Sequence, residues 1–306
     1  MNGLLLGAAS ADRDPWRGER CVAQRLTTAG RLELALVAVA AAGSGQDGDQ
    51  NDEAASVALE ACLAHITASI DPIIPRLLSH AVQAANRAVL DSAQANGARS
   101  TSAGLTVAAV GPDQRLYVAH VGGGAVYVCR GRRCTRLTIA HTFSTMVSQL
   151  GGLEAREGKR AGGGLVRALG LRERISVDIG FYVGTLNPEI ATARGLRGLP
   201  MAPGDAVIVC SDELDSEAGD ISRAVRGKTG DSAARALADL AQPDGTLAAG
   251  IIQVPGGMGR LSAARRALVW AVLVLAFIAL LILAVVSFQP AESPRESRAP
   301  AALVAG

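Results

Sequence analysis

Pro203 to Ser216 reads PGDAVIVCSDELDS. Pro203-Gly204-Asp205 is turn chemistry: proline presets φ, glycine accepts φ > 0, and aspartate can bond its own backbone. Ala206 to Cys210 is a short continuous apolar run with β-branched residues, which predicts a strand covered on both faces. Ser211-Asp212-Glu213-Leu214-Asp215 then puts carboxylates at the end of that strand. A charge there is costly unless it is solvated, paired or bound to a metal. The stretch poses two questions: which layers cover the strand, and what Asp212 serves.

The 306-residue chain is 49% hydrophobic but only 3% aromatic, so Ala, Val and Leu must build its core. A net charge of +2 gives no global argument for nucleic acid or an acidic substrate. Arg130, Arg132, Arg133 and Arg136 lack interleaved aromatics and read as a solvated hairpin tip. Five scattered cysteines fit a reduced compartment better than a disulfide framework. Cys129 and Cys134 could face each other across a hairpin, but the expectation is that they are unbridged. Metal-ligand spacing is absent there too.

Outward from the opening stretch, Leu32 to Ala42 reads as another buried strand. Gly43 to Glu53 is acidic but lacks the spacing of a calcium loop, so a solvated loop is expected. Two helices follow. The first is Ala54 to Ile70. The second has Asp71 as N-cap and Pro72 at its first position, an apolar stripe through Leu77, Leu78, Ala81, Val82, Ala85 and Val89, and a stop at Gly97. Ala103 to Val110, Leu116 to Val121, Ala125 to Arg130 and Cys134 to Thr138 have the spacing of a β-meander. Ile139 to Gly151 reads as helical. Gly158 to Gly164 lacks the Gly-Lys-Ser/Thr ending of a phosphate-cradling loop. Asp231 reads as the N-cap of a helix to Ala241, and Gly250 to Val254 as a last strand. Residues 1–30 and 165–202 are weakly patterned. His120, on a strand, reads as a satisfied core histidine.

Ala267 to Val286 is twenty consecutive apolar residues without a charge, about the length that spans a bilayer. Arg260, Arg265 and Arg266 precede it, so the positive-inside rule predicts a single-pass protein of the cell membrane with its N-terminal domain cytoplasmic. The expected organisation is a domain over 1–254, a linker over 255–266, a transmembrane helix over 267–287 and a short polar tail over 288–306.

Asp212 and Asp244 both punctuate ends of core strands and could converge on one edge of a sandwich. Convergent carboxylates are what Mg²⁺ or Mn²⁺ require, and two such ions can activate a water for phosphoryl hydrolysis. Asp212 read alone could equally be a capping or turn carboxylate.

At these residues the chain resembles the metal-dependent serine/threonine phosphatases of the protein phosphatase 2C type (PPM-type). Leu116 to Tyr127, LYVAHVGGGAVY, is similar to the strand pair around that family's Val-Gly-Asp-Ser-Arg, and Ser100 to Val107 to its preceding Gly-Ser-Thr strand. Leu137 to His141 resembles Leu-Thr-x-Asp-His, with His141 at a position that is not a metal ligand. Leu165 to Gly170 resembles Leu-Thr-Arg-Ala-Leu-Gly. Pro203 to Ser216 resembles the Pro-Gly-Asp strand with Ser-Asp-Gly. Asp244 with Ile251 to Val254 resembles Asp-Asn and the closing strand. The resemblance covers most of residues 7 to 254. It implies an α+β fold, a four-layer α/β/β/α sandwich in which an antiparallel β-sandwich is flanked by helices.

The departures matter as much. Arg20 stands where the family has its first metal-binding aspartate. Ala41 and Ala42 replace the Asp-Gly whose aspartate bridges both metals, and Gly123 replaces the aspartate of Val-Gly-Asp. Of the implied metal ligands only Asp212 and Asp244 remain. Losing a bridging carboxylate leaves two like charges poorly compensated, and too few oxygens remain for an octahedral Mg²⁺. Asp47, Asp49 and Asp52, in the acidic loop after Gly43, lie near that motif in sequence and could supply replacement carboxylates. The expectation is a catalytically inactive domain, with no catalytic residue and no cofactor, that binds a kinase or phosphoprotein partner. The alternative is an active phosphatase using Mg or Mn in an atypical site.

Overall fold

The strand expected over Ala206 to Cys210 is present with those bounds. The computed structural model describes residues 3–10, 20–43, 48–97, 101–149, 164–211, 218–240, 247–255 and 278. The chain divides into one unit over Met1–Gly256 and a second over Gly257–Gly306, and the fold below is that of the first.

Two five-stranded antiparallel sheets face each other. One has the order β1 (Leu5–Ser10), β10 (Ala248–Gln253), β9 (Ala206–Cys210), β6 (Ala125–Arg130), β7 (Arg133–Arg136). The other has β2 (Arg20–Thr27), β3 (Glu33–Ala42), β4 (Ala103–Val110), β5 (Arg115–Val121), β8 (Leu199–Pro200). The apolar runs follow from this stacking, because successive strand residues point to opposite faces. In β3, Ala35, Val37 and Val39 join the core between the sheets, while Leu34, Leu36, Ala38 and Ala40 face a second core. In β9, Val207 and Val209 point between the sheets, and Ala206, Ile208 and Cys210 point into a third. A strand buried on both faces has no polar side to show.

Helices close both outer cores. Helix α1 (Gly48–Ala68) and helix α2 (Ile74–Ala95) cover β3, β4 and β5. The predicted stripe of α2 is fully buried. Helix α5 (Ala218–Val225) and helix α6 (Asp231–Ala238) cover the other sheet through Ile221, Val225, Ala233, Ala234 and Leu237. The result is the helix–sheet–sheet–helix arrangement expected from the resemblance.

Several local expectations change. Residues 1–30 carry β1 and β2, two strands whose partly exposed faces blur the alternation. The meander is two hairpins in different sheets, because the chain leaves β5, crosses at Gly122 to Gly124 and enters β6 opposite. Helix α1 begins at Gly48, inside the stretch expected to be a solvated loop. Helix α2 starts after Ile73, with Pro75 in its first turn; Asp71 instead accepts the Ile73 N–H and binds Arg76. Helix α3 (Phe143–Gln149) is shorter than predicted, and helix α4 (Pro188–Arg197) was not predicted. Asn187 caps α4 by accepting the Glu189 and Ile190 N–H groups. Helix α6 is capped at Gly230, while Asp231 accepts the Ala8 N–H at 3.2 Å and ties the helix to β1. Cys129 and Cys134 are disulfide-bonded with Cα atoms 4.0 Å apart, since they are direct cross-strand partners of β6 and β7. Among the described residues no helix is long and apolar enough to cross a membrane; Ala267 to Val286 lies outside them.

Candidate functional site

One rim of the sandwich gathers the positions that the resemblance singles out. Arg20 opens β2 opposite Ala40, and Ala41 lies opposite Gly104 at the start of β4. Gly122 to Gly124 crosses this end between the sheets. A Cβ on Gly122, whose φ is +108°, would lie 2.6 Å from Gly104 Cα. One on Gly124 would lie 2.3 Å from Thr106 Oγ1 and 3.0 Å from the Cys210 carbonyl. The two sheets therefore meet here at glycine distance.

The carboxylates read from sequence, Asp212 and Asp244, lie outside the described residues, as do Asp47, Glu213 and Asp215. The strand ends that lead to them are described. Cys210 pairs with Ala249, and Ser211 and Ala248 exchange two bonds: Ser211 N–H donates to the Ala248 carbonyl at 2.9 Å, and Ala248 N–H to Ser211 Oγ at 3.1 Å. Ser211 and Ala248, on neighbouring strands, are thus held together at this rim.

The described part of the rim does not fit a two-metal centre. Arg20 brings a cation and reaches Ser56 Oγ at 3.1 Å, Ala41 brings a methyl group, and Gly123 brings no side chain. Among the described residues no group of three His, Cys, Asp or Glu side chains could hold a metal ion. A hard divalent cation needs six or more oxygens, and these positions supply none from side chains.

Beside the glycine crossing sits a buried polar network. His120 is wholly buried; its Nδ1 accepts from Thr106 Oγ1–H at 3.0 Å and its Nε2–H donates to the Ile139 carbonyl at 3.1 Å. His141 Nδ1 accepts the Gly122 N–H at 3.2 Å, which places its proton on Nε2, 3.6 Å from Asp178 Oδ2. These tautomers are assigned from the partners. Asp178 is held by a pair of backbone bonds with His120, and its carboxylate accepts from Gly180 N–H and Tyr182 O–H, both at 2.8 Å. Arg167 Nη1 lies 3.3 Å from His141 Nε2.

Burial, then the neighbouring His141, push His120 down to about 3, so it is neutral at ordinary pH. Burial alone would raise Asp178; the hydrogen bonds from His141, Gly180 and Tyr182 overcome it and hold the carboxyl low. Every imidazole nitrogen has a partner, so the network positions the Gly122 turn and offers no free base. His120 is the satisfied core histidine expected from sequence. Asp178 was missed. The one signal was an acid between Val177 and Ile179 in an alternating run that packs on the helix-covered core.

Two β-sheets sandwiched between helix pairs, with this rim at one end, define a PPM-type phosphatase fold. Solved structures place it among known ones. The chain is similar to the PPM serine/threonine phosphatase MsPP from Mycobacterium smegmatis, at 23% identity and TM-score 0.59, over 82% of this chain and 97% of that one. It is similar to the serine/threonine phosphatase of S. agalactiae at 16% identity and TM-score 0.65, over 82% and 99%. The catalytic domain of the phosphatase PstP, solved with two manganese ions, matches at 20% identity and TM-score 0.59, over 82% and 99%. No family model matches the chain, and no curated protein does.

Proposed function

We propose that the chain is a membrane-anchored PPM-type domain that has lost metal-dependent phosphoester hydrolysis and acts by binding in phospho-signalling, holding a kinase or phosphoprotein at the cell membrane. One observation carries this reading: Arg20, Ala41 and Gly123 stand at the rim where the resemblance calls for carboxylates. Without a bridging ligand two divalent ions repel with little compensation, and the reaction loses both its activated water and its leaving-group clamp. The apolar run Ala267 to Val286 and the arginines before it support a single-pass anchor with the domain on the cytoplasmic side.

The test is hydrolysis of a phosphopeptide and of p-nitrophenyl phosphate by the full chain with Mn²⁺ or Mg²⁺. No metal-dependent turnover is expected. Turnover abolished by Asp212→Asn overturns the reading and supports the second one, an active serine/threonine phosphatase with an atypical metal site. What favours that alternative is the Ser211–Ala248 junction, which starts the segments carrying Asp212 and Asp244 from adjacent strand ends.

A further inference from the structure

At the end of the sandwich remote from the glycine rim lies a cavity of about 500 Å³. It forms at the ends of β6, β9 and β10, beside Cys129, Ala206 and Gln253. Its apolar part includes the buried Val225 and Val254 and the half-exposed Leu5. Exposed Arg132, Arg226 and Lys228 line it as well. The single acid in the lining, Asp205, is already engaged by the Arg130 guanidinium at 3.1 Å and by the Ala202 N–H at 2.9 Å. No carboxylate among the described residues pairs with Arg132, Arg226 or Lys228.

The basic loops are fixed in place. Gln253 Nε2–H donates to the Lys228 carbonyl at 2.9 Å, and its Oε1 accepts the Gly230 N–H at 3.0 Å. Ser222 Oγ–H donates to the Gly131 carbonyl at 3.0 Å, joining the Arg132 turn to α5. The site is thus preformed, basic and partly apolar, and its size suits a small amphiphilic anion.

Pro255 also lines the cavity. By sequence, the eleven residues 256–266, with Arg260, Arg265 and Arg266, lead from it to the apolar run. That linker spans at most about 40 Å when extended. We infer that this cavity binds the phosphate headgroup of an anionic membrane lipid and so fixes the domain's orientation on the bilayer. The inference rests on the membrane anchor proposed above and is independent of the catalytic reading. The charge favours phosphate, and the apolar part with the tether favours a lipid over a free phosphate.

The full chain in nanodiscs tests it by hydrogen–deuterium exchange over residues 129–132 and 226–230. Discs of phosphatidylcholine are compared with discs that also contain phosphatidylglycerol. Exchange is expected to slow by about fivefold or more in the anionic discs, to recover in high salt, and to stay fast in an Arg132→Gln/Arg226→Gln/Lys228→Gln variant. Those three side chains are exposed, so the variant keeps its core. Protection that persists in the variant, or that equals protection in neutral discs, overturns the inference. Equal protection by inorganic phosphate added to neutral discs assigns the cavity to a soluble anion and overturns the lipid source. A chain that fails to co-purify with neutral discs overturns the anchor and this inference together. A chain that co-purifies but shows no dependence on anionic lipid overturns the cavity's role alone.

Discussion

His120 and His141 stack with ring centroids 4.6 Å apart and 27° between their planes. One ring belongs to β5 and the other to the segment after β7, so the stack joins β5 to that segment beside the Gly122 crossing. A positive charge on His120 in that stack would be wholly buried and poorly solvated.

This arrangement predicts acid sensitivity. His120 titrates near 6.5 when unfolded and is pushed to about 3 in the fold. The unfolded chain therefore binds more protons between those values, and stability falls as pH drops through that window. Asp178, held low, keeps its contribution above the ordinary carboxyl range and loses it only in stronger acid. Urea denaturation at pH 7, 6 and 5 should show declining stability, and His120→Asn should flatten the decline. An unchanged slope in that variant would show that other groups carry the acid response.

Gly124 should tolerate no side chain. Its Cβ would press on Thr106 Oγ1, the partner of His120, and on the Cys210 carbonyl. Gly124→Ala is expected to cost about 1–3 kcal/mol in a denaturant titration. Adding Thr106→Ala should recover only part, because the Cys210 contact is backbone.

Asn86 holds the chain that leads towards Asp178. Buried on α2, its Nδ2 donates to the Arg172 and Glu173 carbonyls at 2.9 and 3.2 Å, and its Oδ1 accepts the Gly170 N–H at 2.9 Å. Asn86→Leu leaves these backbone groups without that partner, at a cost of about 1–3 kcal/mol. Limited proteolysis should then cut within 170–175 sooner than in the wild type.

Restoring acids at the rim should restore metal affinity. Arg20→Asp, Ala41→Asp and Gly123→Asp together are expected to bind Mn²⁺ measurably by calorimetry, where the wild-type chain binds weakly or not at all. If the triple variant matches the wild type, the rim's geometry as well as its residues has departed from a metal centre.

The Cys129–Cys134 bridge closes a short loop and is worth about 2 kcal/mol on chain-entropy grounds. Thiol counting on the unfolded purified protein should then find three thiols, those of Cys21, Cys62 and Cys210, outside the bridge. Rapid alkylation in intact cells checks the proposed cytoplasmic placement, where glutathione keeps such pairs open. A bridge found closed in cells would place the domain in an oxidising compartment.

The sequence by itself determined the central strands and the long amphipathic helix. Ala206 to Cys210, Ala103 to Val110 and the stripe of α2 are covered so completely that their residues are apolar, with Thr106, the partner of His120, as the exception on β4. The resemblance, read on the same sequence, implies that Arg20, Ala41 and Gly123 stand at carboxylate positions, and such residue types are legible without coordinates. Only the tertiary structure decided that the glycine run is a crossing between sheets, that Cys129 faces Cys134, and that Asp178 meets His141. Those contacts join residues far apart in the chain or depend on register, and neither leaves a local period. The same holds for the opening stretch. Its strand could be read from composition, but its place beside β10, with Ser211 bonded to Ala248, comes from pairing across the sheet.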